Sequence, residues 1–326
     1  MLRNNTKSSI LIFDMKNKNK FNLGQDDYHI ATDEPLDLDD ALSVLEKRLD
    51  SEQNDIASKP LGDVTTALVD PSTWHKRVVV ITGASSGIGL AAAHCFSLYA
   101  DIVYNLSREK GNDDNINFIE TDVSNPDSIK ESIRKVYNKE GQIDVLINNA
   151  GIGLSGAVEE LLTTDIVKVM NTNFLGVVSA CQAAIPFMRE HRKGKIINIS
   201  CLMANSAPAF NSIYCASKKA METFTISLRK EVEPLKIDVV TVALSTCKTN
   251  FTENRIKQDS TNKAYRYRIS NDIGRLEYQE QTGASPETIA EELYRISNKK
   301  AYNSHSITVK GKSKVRAFFG KFTAKK

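Results

Sequence analysis

The chain has few of the features that would place it in a membrane or in a disulfide-rich class. No run of apolar residues approaches the ~20 that span a bilayer, and the N-terminal segment lacks the arrangement of a secretory signal. The sequence contains one Trp and five Cys. The cysteines are odd in number and show no C-x-x-C spacing, so neither a metal site nor a disulfide framework is indicated. We therefore expect a reducing, cytoplasmic compartment.

Acidic and basic residues are unevenly distributed along the chain. Residues 26–70 carry 13 Asp and Glu against 3 Lys and Arg, whereas the chain after Glu292 carries 10 Lys and Arg and no acidic residue. The net charge of +3 conceals this asymmetry. With 326 residues, of which 41% are hydrophobic and 25% charged, the chain can form one large α/β domain with polar extensions.

A glycine-rich segment follows the first strongly apolar stretch. Residues 78–81 (Val-Val-Val-Ile) are typical of a buried strand, and residues 90–100 favour a helix. Glycines between them allow a tight turn and close approach of the backbone to a diphosphate, whose charge the positive end of the helix dipole stabilises. The candidate dinucleotide-binding residues of this segment are Gly83, Ser85, Gly87, Ile88 and Gly89.

From residue 76 onward, apolar strand segments alternate with amphipathic helical segments. This pattern predicts a parallel sheet that is covered by helices on both faces. Only residues 109–115 separate the second and third strands, which is too few for a regular helix, so we expect a loop there. We predict strands at about residues 78–82, 102–107, 117–120, 143–147, 195–200 and 237–243.

Two further motifs lie downstream of the glycine turn. They are residues 148–151 (Asn-Asn-Ala-Gly) and residues 214–218 (Tyr-Cys-Ala-Ser-Lys). In order and spacing the three motifs resemble those of the short-chain dehydrogenase/reductase family. The resemblance implies an α/β fold with a doubly wound parallel sheet of Rossmann type. It divides the chain into an N-terminal extension over 1–75, a catalytic domain over 76–295 and a basic tail over 296–326.

The end of the second predicted strand indicates which nicotinamide cofactor binds. NAD enzymes usually place an acidic residue there to hold the ribose hydroxyls, whereas NADP enzymes place small and basic residues. Here Ser107 occupies the acidic position, and Arg108, which can hold a phosphate through two hydrogen bonds, follows it. We therefore expect NADP(H). The alternative is that Arg108 is only a solvated charge at the strand end, beside Glu109.

The family resemblance implies further cofactor contacts. Each is a weak motif alone, because Asp-Val is a common dipeptide and Asn-Ala-Gly suits any turn, but their order and spacing match the family. The matching residues are Asp122 and Val123 beside the adenine, Asn149, Ala150 and Gly151 under the adenine ribose, and Thr249 in the loop that touches the nicotinamide amide.

Tyr214 and Lys218 are the candidate catalytic pair. Their i, i+4 spacing places both side chains on one helix face. On this face the Lys218 ammonium would favour ionisation of the Tyr214 phenol, because a nearby positive charge lowers a phenol pKa from its unperturbed value of about 10. The resemblance implies that Tyr214 gives its proton to a carbonyl oxygen while NADPH delivers hydride. It also implies that Lys218 holds the nicotinamide ribose and that Asn173 anchors a water of the proton relay.

One candidate catalytic position departs from the family pattern. The family places a serine 13 residues before the tyrosine, and this chain has Cys201 there. A thiol donates a weaker hydrogen bond than a hydroxyl, and Ser200, one residue earlier on a strand, would face the other way. Three interpretations are open: slow catalysis with Cys201, a local shift that admits Ser200, or a cofactor-binding scaffold without turnover. Leu244-Ser245 also replaces the usual Pro-Gly after the sixth strand.

The sequence constrains the substrate least. Residues 250–283 are expected to form a lid, and residues 250–268 carry five basic and two acidic side chains. These charges either attract an anionic substrate or are simply solvated. Around Tyr214 the chain loosely resembles family members that act on acyl dihydroxyacetone phosphate, steroids or retinoids, which implies a small-molecule, lipid-like carbonyl or alcohol substrate. Family members often form homodimers or homotetramers.

Both ends of the chain carry candidate interaction segments. Leu38, Leu42, Leu45 and Leu49 recur at helical spacing behind Asp37, which predicts an amphipathic helix that packs on the chain itself or docks a partner. After residue 309, seven basic residues are interleaved with aromatic and apolar ones, a composition suited to an anionic membrane or lipid-droplet surface. No nucleic-acid-reading module is recognisable, so we expect no nucleic-acid partner.

Overall fold

The computed structural model describes residues 11–13, 20–22, 76–299 and 306–309. The chain divides into two units, residues 1–75 and residues 76–326. In the first unit, strand β1 (Leu11–Phe13) pairs antiparallel with strand β2 (Lys20–Asn22). The helix predicted around Leu38–Leu49 and the basic segment after residue 309 lie outside the described residues.

The second unit is built on one seven-stranded sheet in which every pairing is parallel. The strands follow the order β11-β9-β8-β6-β3-β4-β5. The β-branched residues of the central strands are buried on both sides, as a sheet covered on both faces requires. The strands are β3 (Val78–Thr82), β4 (Ile102–Ser107), β5 (Asn117–Glu120), β6 (Val145–Asn148), β8 (Gly194–Cys201), β9 (Ile237–Leu244) and β11 (Ser306–Val309).

Helices cover both faces of this sheet. Apolar residues of α1 and α8 pack on one face, and those of α2, α4 and α6 pack on the other. Local sequence sets the ends of α2, since the Asn125 side chain caps its first turn and Gly141 ends it with a φ of +73°. The helices are α1 (Gly87–Leu98), α2 (Pro126–Glu140), α3 (Thr163–Met170), α4 (Gly176–Glu190), α5 (Met203–Ser206), α6 (Ser212–Val232), α7 (Lys263–Gln281) and α8 (Pro286–Asn298).

The doubly wound parallel sheet confirms the predicted fold class, and the six predicted strands differ from the observed ones by no more than two residues at either end. Residues 108–116, between β4 and β5, form a loop without a helix. The sequence analysis missed strand β11, which pairs with β9 and buries Ile307 and Val309. An alternating stretch of only four residues within a basic segment is too short to predict a strand, so the sequence does not separate it from the tail.

A second, two-stranded sheet connects the loop after β6 to the expected lid. Strand β7 (Leu154–Ser155) pairs parallel with β10 (Ile256–Lys257), and α7 follows β10. This pairing holds the lid segment against the carboxyl end of the large sheet, where ligands of such folds bind. Among the described residues, no helix has the length and apolar character needed to cross a membrane.

Candidate active site

The glycine turn between β3 and α1 is shaped for close backbone approach. Gly83 and Gly87 have φ angles of +69° and +57°, a region that favours glycine. A Cβ on Gly89 would lie 2.4 Å from the Gly83 carbonyl oxygen and 2.5 Å from Asn149 Nδ2. Any side chain at Gly89 would therefore push the turn and Asn149 apart.

The start of α1 can receive a negatively charged group. Ser86 precedes the helix without capping it through its side chain, and the first turn contains no acidic residue. The first N–H groups of the helix and its positive dipole end are thus available to a diphosphate. Thr249 lies against the same turn, with its Cβ 3.3 Å from the position that a Cβ on Gly87 would take. Thr249 therefore lies beside the glycine turn that contains Ser85 and Ile88, and this turn fits a dinucleotide.

The Asn-Ala-Gly turn after β6 supports the glycine turn. Asn149 Nδ2 donates hydrogen bonds to the carbonyl oxygens of Thr82 (3.1 Å) and Gly83 (3.0 Å). The backbone N–H groups of Asn149 and Ala150 both donate to Thr82 Oγ1 at 3.1 Å. The side chain of Asn149 is therefore bonded to the protein backbone itself.

Ser107 and Arg108 lie where β4 ends, next to the glycine turn. Ser107 Oγ donates a 2.6 Å hydrogen bond to the Glu109 carbonyl oxygen, and Arg108 is exposed. Asn105 connects the two segments, because its Oδ1 accepts from Ala84 N (3.0 Å) and its Nδ2 donates to the Lys110 carbonyl (3.1 Å). The sequence analysis did not identify this role of Asn105.

Asp122 and Val123 follow β5 at the same edge of the sheet. The carboxylate of Asp122 accepts hydrogen bonds from the backbone N–H (2.9 Å) and the hydroxyl (2.7 Å) of Ser124. The Val123 carbonyl oxygen lies 2.5 Å from the position of a Cβ on Gly176, so α4 begins in direct contact with this loop. The pair thus lies on the side of the site where the adenine is expected.

Asn173 lies in a π-helical turn between α3 and α4, a distortion that often marks functional sites. Its side chain is buried and fully engaged with the protein. Oδ1 accepts from Ile152 N (2.8 Å), and Nδ2 donates to the Ile152 carbonyl (2.9 Å) and to Ser217 Oγ (3.0 Å). Asn173 therefore joins the loop after Gly151 to α6.

Gly151 brings the predicted catalytic residues together. A Cβ on Gly151 would lie 3.3 Å from Asn173 Oδ1 and 3.4 Å from Lys218 Nζ. Lys218 and Tyr214 lie one turn apart on α6, and both side chains are buried. Lys218 Nζ donates a 2.9 Å hydrogen bond to the Ile199 carbonyl oxygen of β8. Three distant segments thus meet at one glycine.

Burial governs the ionisation of Tyr214 and Lys218. Desolvation and, next, the Cys201 thiol raise the pKa of Tyr214 well above its ordinary value, and the positive charge of Arg255 opposes them. Burial lowers the pKa of Lys218, while Cys201 and Glu222 act in the opposite direction. A positive side chain that opposes this rise is thus Arg255, which lies outside the sequence motifs. Tyr214 is protonated at neutral pH, as a proton donor must be.

Cys201 and Ser200 face different surroundings at the end of β8. Burial raises the pKa of the Cys201 thiol, which interacts with Lys218 and Tyr214. Ser200 Oγ donates a 2.6 Å hydrogen bond to Glu222 Oε1 and is 2% exposed. The structure therefore places the thiol beside Tyr214 and turns the hydroxyl away from it.

The loop after β9 is held in place although it lacks the usual Pro-Gly. Ser245 N donates to the Val309 carbonyl oxygen at 3.1 Å, so β11 fixes the start of the loop. Lys248 N donates to the Ala284 carbonyl (2.8 Å), and Ala284 N donates to the Thr246 carbonyl (3.0 Å). Backbone contacts with the end of the lid therefore orient Thr249.

Two of the five basic residues of the lid are paired with carboxylates, whereas Lys263, Arg266 and Arg268 are exposed. Lys257 pairs with Glu277 and Arg255 pairs with Glu280, while Arg268 lies 5.5 Å from the centre of the Phe210 ring. From the sequence alone, Arg255 is only one of the five basic residues of the lid. Its partner is 25 residues away in sequence, so no local pattern could have revealed the pair.

A cavity of about 780 Å³ lies beside α6, next to the residues that flank Tyr214. Its wall includes Ser212, Cys215 and Ala216 from α6 together with Tyr265 from the lid helix. Small apolar side chains leave this space open. They are Ala157, Ala204, Ala207, Ala209 and Ala216.

Comparison with known proteins identifies relatives of this chain. The short chain dehydrogenase family model matches residues 77–260. A 3-ketodihydrosphingosine reductase of Bacteroides thetaiotaomicron is 36% identical over 68% of this chain and 83% of the relative. The dehydrogenase/reductase SDR family member 7B of Xenopus tropicalis is 30% identical over 67% of this chain and 73% of the relative.

Solved structures share the fold. A short-chain dehydrogenase from Streptomyces avermitilis has a TM-score of 0.65 at 26% identity, covering 73% of this chain and 89% of that chain. ElxO with NADP bound has a TM-score of 0.57 at 26% identity, and the match covers 71% of this chain and 97% of the ElxO chain. The parallel sheet agrees with these solved structures, and the chain belongs to the short chain dehydrogenase family of oxidoreductases.

Proposed function

We propose that this protein is an NADP(H)-dependent reductase that acts on the carbonyl group of a lipid-like molecule. The observation that carries the proposal is the convergence of Tyr214, Lys218 and Asn173 at Gly151, beside the glycine turn. Membership of an oxidoreductase family with reductase relatives supports it. A fold alone would not, since the same fold serves many functions.

The side chains of the site account for the protons of the reaction. NADPH, when bound, supplies the hydride that reduces the carbonyl carbon. Tyr214 donates its phenolic proton to the carbonyl oxygen, and the high pKa caused by its burial keeps that proton available. Lys218 holds a positive charge beside the site, and the Cys201 thiol polarises the carbonyl oxygen weakly. Asn173 keeps the loop after Gly151 against α6.

NADP(H) is proposed because of the residues at the end of β4. Ser107 and Arg108 stand where an acidic residue would repel a ribose phosphate, and Arg108 is exposed and can turn toward it. The likeness to ElxO with NADP bound favours the same choice. The Glu109 residue contacts Ser107 through its backbone, because its carbonyl oxygen accepts a hydrogen bond from Ser107 Oγ.

A lipid-like substrate is proposed because of the cavity beside α6, whose wall includes Cys215 and Ala216, the residues that follow Tyr214 in the chain. Its volume of about 780 Å³ and its alanine-rich wall suit an alkyl chain, which gains stability from burial in proportion to its apolar area. The similarity to a 3-ketodihydrosphingosine reductase points to the same class of molecule.

The proposal is tested by measuring NADPH oxidation with the purified protein. We expect turnover of long-chain ketones, with 3-ketodihydrosphingosine as the first candidate, and slower turnover of short ketones that leave the cavity empty. Tyr214→Phe should abolish turnover and keep NADPH binding. A protein that binds NADPH but reduces none of these ketones would support the alternative, a cofactor-binding scaffold.

We also propose that the protein forms homodimers or homotetramers. Leu162, Val167 and Leu175 are each about half exposed along α3 and the turn that follows it. Apolar side chains this exposed favour burial against a second copy. Light scattering of the purified protein would detect the oligomer, and Val167→Glu should shift it toward monomer. We further propose that the protein is cytoplasmic and contacts lipid surfaces through the basic segment after residue 309.

A further inference from the structure

Arg255 lies beside the proposed active site but outside the sequence motifs that define it. Its side chain is 2% exposed, and its guanidinium carbon lies 5.7 Å from the centre of the Phe251 ring. The same ring lies 5.7 Å from the ring of Tyr214. Arg255 and Tyr214 are therefore both neighbours of Phe251.

Arg255 also packs on the loop that follows Gly151. A Cβ on Gly153 would lie 3.1 Å from Arg255 Nε and 3.2 Å from its Cγ. The absence of a side chain at Gly153 thus makes room for the guanidinium. Arg255 belongs to the lid segment and therefore brings the lid into direct contact with this loop.

Only part of the guanidinium is used by the protein. Nη2 pairs with Glu280, whose other oxygen accepts a 2.6 Å hydrogen bond from Thr252 Oγ1. Nη1 is buried and has no acceptor among the described residues. Leaving a buried donor unpaired is unfavourable, so an acceptor is expected in the working complex.

Glu280 already balances the charge of Arg255. The pair therefore offers a hydrogen-bond donor without a net positive charge, and a full anion placed there would lack a counter-charge of its own. A neutral oxygen satisfies the donor without this cost. Hydroxyl groups and the carbonyl oxygens of esters and amides are such acceptors.

We propose that Nη1 of Arg255 binds a second, neutral oxygen of the substrate, close to the carbonyl that is reduced. Arg255 is then a specificity-determining residue that selects oxygenated ketones over simple ones. This inference rests on the proposed reductase function. It adds that the substrate carries a polar group near its carbonyl, besides the alkyl chain that the cavity suits.

The test compares long-chain ketones that carry a hydroxyl next to the carbonyl with their deoxy counterparts of equal length. Arg255→Lys keeps a cation opposite Glu280 but has one nitrogen in place of the guanidinium fork, so it removes the donor at the position of Nη1. The ratio of kcat/KM for the hydroxy ketone to that for the deoxy ketone should fall about tenfold or more, as expected for loss of a hydrogen bond to a charged group. Lys257→Gln removes another lid cation, which pairs with Glu277, and should leave the ratio unchanged.

Gly153→Ala provides a second variant with no loss of charge. The added methyl would lie 3.1 Å from Arg255 Nε and 3.2 Å from Phe251 Cε1, so both side chains must shift slightly and the same ratio should fall. Thermal unfolding of each variant shows whether it folds. Equal losses on both ketones in Arg255→Lys would make Arg255 a purely structural residue. A weaker NADPH affinity with an unchanged ratio would mean that Nη1 binds the cofactor instead.

Binding measurements separate failure of this inference from failure of the proposed function. If no ketone is reduced, the reductase proposal fails, and calorimetry of the NADPH-loaded protein still compares the two ketones. Tighter binding of the hydroxy ketone that is lost in Arg255→Lys would support the inference. Equal binding of both ketones to the unmodified protein would overturn it.

Discussion

Ser200 donates a 2.6 Å hydrogen bond to Glu222, which holds its hydroxyl on the side of β8 opposite Cys201. Of the three interpretations that the sequence left open, a shift of Ser200 into the site is therefore not what the structure shows. The thiol of Cys201 lies beside Tyr214 in its place. The choice that remains is between catalysis with a weak thiol donor and a scaffold without turnover.

Cys201→Ser should raise turnover, because a hydroxyl is a stronger hydrogen-bond donor to the carbonyl oxygen than a thiol. Removing an oxyanion donor in other enzymes costs about 10²–10³ in rate, so a gain of about tenfold is expected from replacing a weak donor. Steady-state kinetics with NADPH would measure it. Ser200→Ala is the matched control and should change kcat little. The reverse result, damage by Ser200→Ala and no gain from Cys201→Ser, would contradict this assignment.

Arg108→Ala should reduce the preference for NADPH over NADH by about tenfold or more, because it removes a charge-assisted hydrogen bond to the ribose phosphate. Fluorescence titration with each cofactor would measure both dissociation constants. Lys110→Ala, on the same loop, removes a cation that is already paired with Asp114 and should have little effect. Equal affinities of the unmodified protein for NADPH and NADH would refute the NADP assignment.

The pH dependence of the reaction should differ between its two directions. Burial raises the pKa of Tyr214 well above its ordinary value and lowers that of Lys218. Reduction should therefore decline as the pH rises through the lowered pKa of Lys218, while Tyr214 keeps its proton. Alcohol oxidation needs an ionised Tyr214 and should rise with pH. A kcat/KM for reduction that rises with pH would contradict Tyr214 as the proton donor.

Two glycines allow a matched comparison of close approach and helix propensity. Gly89→Ala places a methyl 2.4 Å from the Gly83 carbonyl oxygen, so NADPH affinity should fall more than about tenfold, which is 1.4 kcal/mol. Gly274→Ala adds a methyl in open space within α7. It should raise the free energy of unfolding by roughly 0.5–1 kcal/mol. Cofactor titration tests Gly89→Ala, and urea unfolding tests Gly274→Ala. Unimpaired NADPH binding in Gly89→Ala would contradict the geometry of the turn.

The basic segment after residue 309 should attach the protein to anionic lipid surfaces. It carries seven Lys and Arg interleaved with aromatic residues, which favours contact with anionic headgroups. The full chain should co-sediment with phosphatidylserine vesicles at low salt and be released at high salt, because salt screens the attraction. Deletion of residues 310–326 should abolish sedimentation, and neutral vesicles are the control. Sedimentation that survives the deletion would exclude this segment as the membrane contact.

The sequence by itself determined the sheet, the glycine turn and the positions of the candidate cofactor and catalytic residues. Apolar strands that repeat between amphipathic helices and glycines at fixed spacing are local signals, so they can be read without contacts between distant residues. Strand β11 was missed because four residues in a basic segment carry too little pattern.

Only the tertiary structure decided which side chains act on one another. It placed Ser200 against Glu222, left Cys201 beside Tyr214, and paired Arg255 with Glu280 across 25 residues of sequence. It also showed that burial sets the ionisation of Tyr214. Desolvation and long-range pairing depend on the packing of segments that are far apart in the chain, and no local pattern records that packing.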